Sequence, residues 1–163
     1  MPSGALSTGT TMAQGLYFED FSVGQQFSTP GKTITEGEII QFAMTYDPQP
    51  FHIDREAARD GAFGGLIASG FQTFATAFRL FHMAGVIGDA SLGSPGCDEL
   101  RWHSPVRPDD TLTVIAEVEE VRASRSKPDR GLVKIRHRMH DQHGRLVLSY
   151  LGIHIIACRA IPA

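Results

Sequence analysis

The sequence has few cysteines, no excess of positive charge and no long apolar run. Only two of its 163 residues are cysteines, Cys97 and Cys158, and their spacing suggests neither a disulfide framework nor a metal cluster. We therefore expect two free thiols in a reducing compartment and no bound metal. The formal net charge is −3, so the chain has no excess of basic residues and a nucleic-acid partner is not expected.

Signals for membrane insertion and export are also lacking. No segment approaches the length of about 20 apolar residues that a membrane span needs, so no membrane association is expected. The N-terminal residues have neither the charged region nor the apolar region of a signal peptide. These observations predict a cytoplasmic protein.

The length and composition indicate one globular domain. A chain with 42% hydrophobic and 20% charged residues has an ordinary globular balance, and 163 residues can bury a sizeable core. Residues 1–15 are small, polar and without periodicity, which predicts a flexible N-terminal extension. Residues 16–163 contain no linker or internal repeat and are predicted to form a single domain.

The first helix is predicted by a capping pattern. Thr35 and Glu38 have the spacing at which the two side chains satisfy each other's backbone donors. Apolar residues follow at helical spacing as far as Tyr46. The helix is expected to end there because Asp47 precedes Pro48, and a residue before proline disfavours helical backbone.

A second, longer helix is predicted between Leu66 and Met83. Its large apolar residues repeat at alternating spacings of four and three: Ile67, Phe71, Phe74, Phe78 and Phe81. Arg79 is the only formal charge in the segment, so the helix is expected to be buried nearly all round. We interpret the phenylalanines as core residues, although the same helix could also line an acyl pocket.

The residues after this helix favour antiparallel strands. Apolar and polar residues alternate through 111–121 and 133–139, and 145–157 is apolar on both faces. One long buried helix wrapped by a curved antiparallel sheet is an α+β fold. His137 shares the apolar face of 133–139, so we expect it to be buried or to lie at a subunit contact rather than to bind a metal.

Two segments before the long helix could carry chemistry. In the loop from Tyr46 to Asp54, a carboxylate and an imidazole, Asp47 and His52, stand five residues apart. Residues 62–70 are glycine-rich and open into the helix, whose N-terminus suits an oxygen that becomes negative during a reaction. Spacing alone also allows Asp47 to be only a helix terminator, His52 a hydrogen-bonded loop residue, and the glycines a means of close packing.

Longer sequence blocks resemble a known family. The run YDPQPFHID, followed by FGGLIASG and an apolar helix, is similar to the signature of the MaoC-like dehydratases and (R)-specific enoyl-CoA hydratases. The blocks GSPGCDELRWHSPVRPDDTL and SRSKPDRG also resemble this family. The resemblance covers roughly residues 17–157. It implies a hot-dog fold, a homodimer or higher homo-oligomer, and the reversible hydration of a 2-enoyl-CoA to a 3-hydroxyacyl-CoA.

The resemblance also implies roles for individual residues. Asp47 would deprotonate a water molecule, His52 would protonate the α-carbon, and the backbone N–H of Gly70 would hold the thioester oxygen. Coenzyme A enters as part of the substrate, and no separate cofactor is expected. Further substrate contacts are predicted near the helix start and in a cationic loop that could bind the phosphates of coenzyme A: Gly65, Ser69, Arg125, Lys127 and Arg130.

Three positions depart from the family pattern. Gln49 and Ser69 stand where such hydratases commonly have Asn and His, and Ala75 replaces a Ser that helps to orient the site. These departures leave two alternatives to a hydratase open. The protein could be a non-catalytic acyl-CoA-binding protein with the same fold, or it could be a thioesterase, since other hot-dog enzymes hydrolyse thioesters.

Overall fold

The computed structural model describes residues 15–159. Apart from Gly15, the predicted N-terminal extension lies outside the described residues, as do residues 160–163 of the predicted domain. The helical elements are a 3₁₀ turn at Phe18–Asp20 and the helices α1 (Glu36–Tyr46), α2 (Pro50–Ile53), α3 (Arg55–Arg59) and α4 (Gly70–Met83). The strands are β1 (Gln26–Ser28), β2 (Lys32–Thr33), β3 (Gly96–Trp102), β4 (Thr111–Ala123), β5 (Arg130–His140) and β6 (Leu146–Ala157).

The strands form an open, antiparallel, six-stranded sheet. Their order is β1-β4-β5-β6-β3, and β2 also pairs with β4. The helix α4 packs on one face of this sheet, with Phe81 edge-on to His137 of β5 and Phe74 edge-on to Tyr150 of β6. One long helix against an antiparallel sheet confirms the predicted α+β architecture.

The helix α1 has the predicted capping box and the predicted end. Thr35 Oγ1 accepts the Glu38 N–H at 3.2 Å, and Glu38 Oε2 accepts the Thr35 N–H at 2.9 Å. The helix ends at Tyr46, and Asp47 is its C-terminal cap. Because Pro48 follows, the chain leaves the helix at Asp47 and carries that side chain towards the start of α4.

The long helix begins at Gly70, so its predicted start at Leu66 is wrong. The residues before Gly70 make backbone hydrogen bonds to other parts of the chain: Ile67 N–H to Phe51 C=O at 3.1 Å, and Ala68 N–H to Val106 C=O at 2.8 Å. Ser69 then caps the helix, since its Oγ accepts the Phe71 N–H at 3.2 Å. These tertiary hydrogen bonds override a helical apolar spacing that continues upstream of Gly70.

The prediction that this helix is buried all round is also wrong for the single chain. The inner face of α4, which includes Ala77, Leu80 and Phe81, is almost inaccessible to solvent. On the outer face, Phe71 is 62% exposed and Phe78 is 45% exposed. The sheet covers only one side of the helix, and the apolar outer side is left open.

Candidate active site

Asp47 and His52 are positioned by the short segment that links α1 to α3. The Gln49 N–H donates to the Asp47 carbonyl at 2.8 Å, and the His52 N–H donates to the Gln49 carbonyl at 2.9 Å. Pro50 begins α2, where proline is tolerated because the first N–H of a helix has no acceptor within it. These turns bring the imidazole back to the carboxylate at the end of α1.

The imidazole and the carboxylate face each other. His52 Nε2 lies 3.3 Å from Asp47 Oδ2, and the His52 side chain is buried. His52 Nδ1 lies 2.7 Å from the Ile67 carbonyl oxygen, which can only accept a hydrogen bond, so Nδ1 carries a hydrogen. Nε2 is therefore the ring nitrogen that can exchange a proton, and it points at Asp47.

Both oxygens of the Asp47 carboxylate have a hydrogen-bond donor. The Ser69 hydroxyl donates to Oδ2 at 2.6 Å, and Gln49 Nε2 donates to Oδ1 at 2.7 Å. The hydrogen bond from Ser69 is the main reason that the pKa of Asp47 lies below its ordinary value. Two of the three departures from the family pattern therefore act directly on Asp47, which they orient and keep ionised.

Gly70 places its backbone N–H at the start of α4, beside this pair. As the first helical residue, it has no acceptor for that N–H within the helix. Its carbonyl oxygen accepts the Trp102 Nε1–H at 2.8 Å, so the indole lies directly against it. A Cβ atom on Gly70 would be 2.7 Å from two atoms of the indole ring. Glycine is thus the residue that allows this close approach.

A cavity of about 410 Å³ brings these groups together. Asp47, His52 and Gly70 all line it. Its other walls are largely aromatic and apolar: Phe51, Phe63, Phe71, Trp102 and Val106. An apolar cavity with a few convergent polar groups is the usual form of a small-molecule site.

The other two residues predicted near the helix start lie beside the cavity rather than in its lining. Ser69 is fully buried. Its hydroxyl donates to Asp47 and accepts the Phe71 N–H at the N-terminus of α4. Gly65 has a φ of +146°, and a Cβ atom there would touch the guanidinium of Arg107 at 3.4 Å. Direct substrate contacts by Ser69 and Gly65 stay predictions.

The cationic loop lies far from Asp47 within the chain. Arg125, Lys127 and Arg130 line a separate cavity of about 380 Å³ at the turn between β4 and β5. Arg130 is paired with Asp129 at 2.8 Å. The cavity lined by Asp47, His52 and Gly70 lies near the opposite end of β4, and the 13 residues of that strand span about 40 Å. A single chain therefore does not bring these cations to the carboxylate.

Two aromatic residues of the cavity were not identified as site residues from the sequence. Trp102 ends β3, and His103 follows it with Nε2 2.8 Å from Ser149 Oγ. Both reach the cavity because β3 pairs with β6, a long-range contact with no local sequence signal. His137 is 1% exposed, which agrees with the expectation that it is buried or lies at a subunit contact.

The part of the chain that the structure describes offers no group of three or more His, Cys, Asp or Glu side chains suited to a metal ion. Cys97 and Cys158 are both free thiols. Within residues 15–159, no helix has the length and apolar character to cross a membrane.

A central helix on an open antiparallel sheet, with a carboxylate and an imidazole in contact at its N-terminus, defines a hot-dog-fold protein with an enzyme-like site. The MaoC like domain matches residues 20–138. The chain therefore belongs to the MaoC-like dehydratase family, as its sequence blocks suggested.

Solved structures and a curated relative agree with this assignment. The chain is 37% identical to the MaoC-like dehydratase from Rhodospirillum rubrum, with a TM-score of 0.85 over 90% of this chain and 100% of that one. It is 25% identical to unliganded R-hydratase PhaJ1 from Pseudomonas aeruginosa, with a TM-score of 0.68 over 91% and 95% of the two chains. It is 40% identical over 76 residues to 3-hydroxyacyl-thioester dehydratase Z of Mycobacterium tuberculosis, a match to 45% of this chain and half of that protein.

Proposed function

We propose that this protein is an acyl-thioester hydro-lyase that reversibly hydrates a 2-enoyl-CoA to a 3-hydroxyacyl-CoA. The observation that carries the proposal is the meeting of Asp47, His52 and the Gly70 N–H in one apolar cavity. The family, and the names of the R-hydratase and the 3-hydroxyacyl-thioester dehydratase to which the chain is similar, support the same reaction class.

The site offers one group for each step of hydration. Asp47 Oδ2 takes a proton from a water molecule while the water oxygen bonds to the β-carbon of the enoyl group. The electron pair of the double bond moves towards the thioester carbonyl, and the Gly70 N–H holds the oxygen that becomes negative. A proton on His52 Nε2 is then delivered to the α-carbon. The proton gained by Asp47 returns to Nε2 across the 3.3 Å that separates them, which restores both groups.

The assay for this proposal follows the conjugated double bond of crotonyl-CoA and of longer and branched 2-enoyl-CoA esters. We expect loss of the conjugated absorbance with formation of the 3-hydroxyacyl-CoA, while the thioester stays intact. Release of free thiol instead would identify a thioesterase. Binding of the esters in calorimetry, without turnover of any of them, would identify a non-catalytic acyl-CoA-binding protein.

We further propose that the active protein is a homodimer formed through β3 and the outer face of α4. In the described chain, β3 is the last strand of the sheet and pairs with β6 on one side only. An unpaired strand edge beside an exposed apolar helix face is suited to pairing with a second copy. A twofold axis at the β3 edge would make the two sheets continuous and their strands antiparallel.

This arrangement would also supply the cationic loop to the site. In two sheets related by such an axis, the end that carries the β4–β5 turn of one copy lies beside the end that carries Asp47 of the other. The loop with Arg125, Lys127 and Arg130 of the second copy would then be on the correct side to hold the phosphates of coenzyme A. Measurement of the mass in solution by light scattering tests the dimer, and a monomer at assay concentrations would contradict it.

Ser69→Ala is expected to move the acidic limb of the kcat/KM–pH profile to higher pH. Asp47 acts as a base only when ionised, so activity is lost as the pH falls through its pKa. Removing the 2.6 Å hydrogen bond from Ser69 takes away the main cause of the lowered pKa, so the loss begins at a higher pH. The profile is measured with crotonyl-CoA.

Ser69→Thr is the matched control because it keeps the hydroxyl for both Asp47 and the helix cap. The alanine variant also loses that cap, which costs about 1 kcal/mol of stability and is measured separately by thermal unfolding. An acidic limb that stays in place in Ser69→Ala would show that Asp47 is not the group whose ionisation controls the rate.

A further inference from the structure

A second cavity lies farther along α4, between the helix and strands β3 and β6. Its volume is about 390 Å³, and most of its wall is apolar. The helix contributes Phe74, Ala75 and Phe78, while β6 contributes Tyr150, Gly152 and His154. Tyr150 and His154 are thus the polar side chains that β6 presents to a mostly apolar space.

These side chains have hydrogen-bonding atoms that nothing in the described chain satisfies. Tyr150 is 2% exposed and His154 is 5% exposed, yet the Tyr150 hydroxyl and His154 Nε2 have no hydrogen-bond partner among the described residues. Neither ring nitrogen of the neighbouring His137 has one within residues 15–159 either. Buried polar groups in native proteins are nearly always paired, so three such side chains side by side are suited to hold a polar ligand.

The arrangement of the strands directs these groups towards one another and towards the helix. Tyr150, Gly152 and His154 alternate along β6 and so share the face on which α4 packs. His137 stacks on Tyr150, with ring centroids 4.3 Å apart and an angle of 8° between the rings. A Cβ atom at position 152 would lie 2.7 Å from His154 Nε2 and 3.1 Å from His137 Nε2. Because Gly152 has no side chain, the imidazoles of His137 and His154 can both approach this position.

All three groups are uncharged at neutral pH. Burial lowers the pKa of His154 to about 4 and that of His137 to about 3, and it raises the pKa of Tyr150. The titratable groups that act on them are His82 of α4, Arg136 of β5 and Cys97 of β3. A neutral set of donors and acceptors suits a neutral oxygen function, because a carboxylate or an ammonium would be desolvated there without an opposite charge.

The two cavities share the same helix and the same strand. Gly70 lines the first cavity, which is the catalytic cavity of the proposed function. Phe74 and Phe78 line the second cavity and lie about 6 Å and 12 Å farther along α4 than Gly70. On the sheet side, β3 runs from Cys97 in the second cavity to Trp102 in the catalytic cavity. An acyl chain that leaves the thioester at Gly70 and follows α4 would enter the second cavity with its distal end.

We propose that the second cavity binds the distal part of the acyl group and that Tyr150 and His154 recognise a hydroxyl or keto oxygen on it. This inference rests on the proposed hydratase function and specifies its substrate class. The preferred substrates are 2-enoyl thioesters whose tail carries a neutral oxygen, ahead of plain chains of the same length.

The test compares kcat/KM for 2-enoyl-CoA esters with and without a terminal hydroxyl, in a series from hexenoyl to decenoyl. At the chain length that reaches Tyr150, the hydroxylated ester is expected to be preferred by about tenfold, the usual effect of one neutral hydrogen bond. Tyr150→Phe keeps the ring and removes only the hydroxyl, so we expect most of the preference to be lost, with His154 as the remaining polar contact. Tyr17→Phe, which removes a tyrosine hydroxyl outside both cavities, should leave the preference unchanged.

A stability measurement gives a second readout for the same variant. Because no group in residues 15–159 pairs with the Tyr150 hydroxyl, Tyr150→Phe is expected to leave the thermal midpoint unchanged or to raise it. A lower midpoint would show that the hydroxyl already has a structural partner, which would overturn the inference.

Failure of the inference is distinguishable from failure of the proposed function. If crotonyl-CoA is hydrated but hydroxylated and plain esters react equally at every length, the hydratase proposal stands and this substrate class is wrong. If Tyr150→Phe keeps the preference of the wild type, the hydratase proposal also stands, but recognition of the oxygen by Tyr150 is wrong. If no thioester in the series is turned over, the proposed function fails and the inference fails with it.

Discussion

Asp47→Asn is expected to lower kcat/KM for 2-enoyl-CoA hydration by about 10²–10⁴-fold, the range usual for loss of a general base. The amide has the size of the carboxylate and can still accept a hydrogen bond from Ser69, but it cannot take a proton from water. The loss should be in kcat as well as in kcat/KM, because the proton moves in the transition state. Steady-state kinetics measure the effect, and thermal unfolding checks that the protein remains folded.

Asp54→Asn is the matched control for this change. Asp54 belongs to the same loop, but its carboxylate accepts the backbone N–H groups of Glu56 and Ala57 at the start of α3. Asparagine is also a good helix cap, so the control should keep nearly wild-type kinetics and stability. An Asp47→Asn variant with wild-type turnover would show that Asp47 is not the base.

The effect of His52 on the rate should not add to that of Asp47. In the proposed mechanism the two groups pass one proton between Oδ2 and Nε2, which lie 3.3 Å apart, so removal of either group would interrupt the same cycle. We expect the double variant Asp47→Asn, His52→Gln to be about as slow as the slower single variant. Losses that multiply would indicate that the two side chains act in separate steps.

The parts of the fold that the sequence predicted are those with local causes. The capping box of Thr35 and Glu38 and the helix stop before Pro48 depend on neighbouring residues, and the structure has both. The start of α4 was predicted too early because Leu66 and Ile67 continue a helical apolar pattern. Their extended backbone is fixed instead by Phe51 and Val106, which are distant in sequence.

The open side of α4 and the strand β3 show a second limit of sequence patterns. An apolar residue such as Phe71 or Phe78 has the same pattern whether it is covered by its own chain or by another molecule. The strand β3 has no regular alternation of buried and exposed residues because it lies at the edge of the sheet and carries a register shift between Asp98 and Arg101. Neither feature could be derived from hydropathy alone.

The candidate site also combines residues with a local signal in the sequence and residues that only long-range contacts bring in. Asp47 and His52 lie on one short loop, so their spacing suggested a pair, and the family resemblance added Gly70. The hydrogen bond from Ser69 to Asp47 was not predicted, because it joins residues that are 22 positions apart. Trp102 was not identified at all, since its contact with Gly70 spans 32 positions and depends on the pairing of β3 with β6.

That contact leads to the second large expected effect, which is a loss of about 10²-fold in kcat for Gly70→Ala. The added methyl group would lie 2.7 Å from Cε2 and Nε1 of the Trp102 indole, so the ring or the helix start must move. A displacement of the Gly70 N–H by even a fraction of an ångström would weaken the proposed hydrogen bond to the thioester oxygen, and loss of one such donor typically costs about 10²–10³ in kcat.

Stability should change much less than activity in this variant. Alanine is favoured over glycine in a helix by about 1 kcal/mol, which offsets part of the cost of overpacking. Trp102 is 48% exposed, so its ring has room to shift. Gly37→Ala is the matched control, because Gly37 is also in the first turn of a helix and a Cβ atom there meets nothing within 4 Å. That variant should keep wild-type kinetics.

A double-mutant cycle with Trp102→Ala separates the steric cause from other effects of the methyl group. Without the indole, the methyl group at position 70 has no ring to displace, so Gly70→Ala should cost much less in the Trp102→Ala background than in the wild type. The cycle is measured on kcat with crotonyl-CoA. An equal cost in both backgrounds would show that the methyl group acts on the bound substrate itself and not through the position of Trp102.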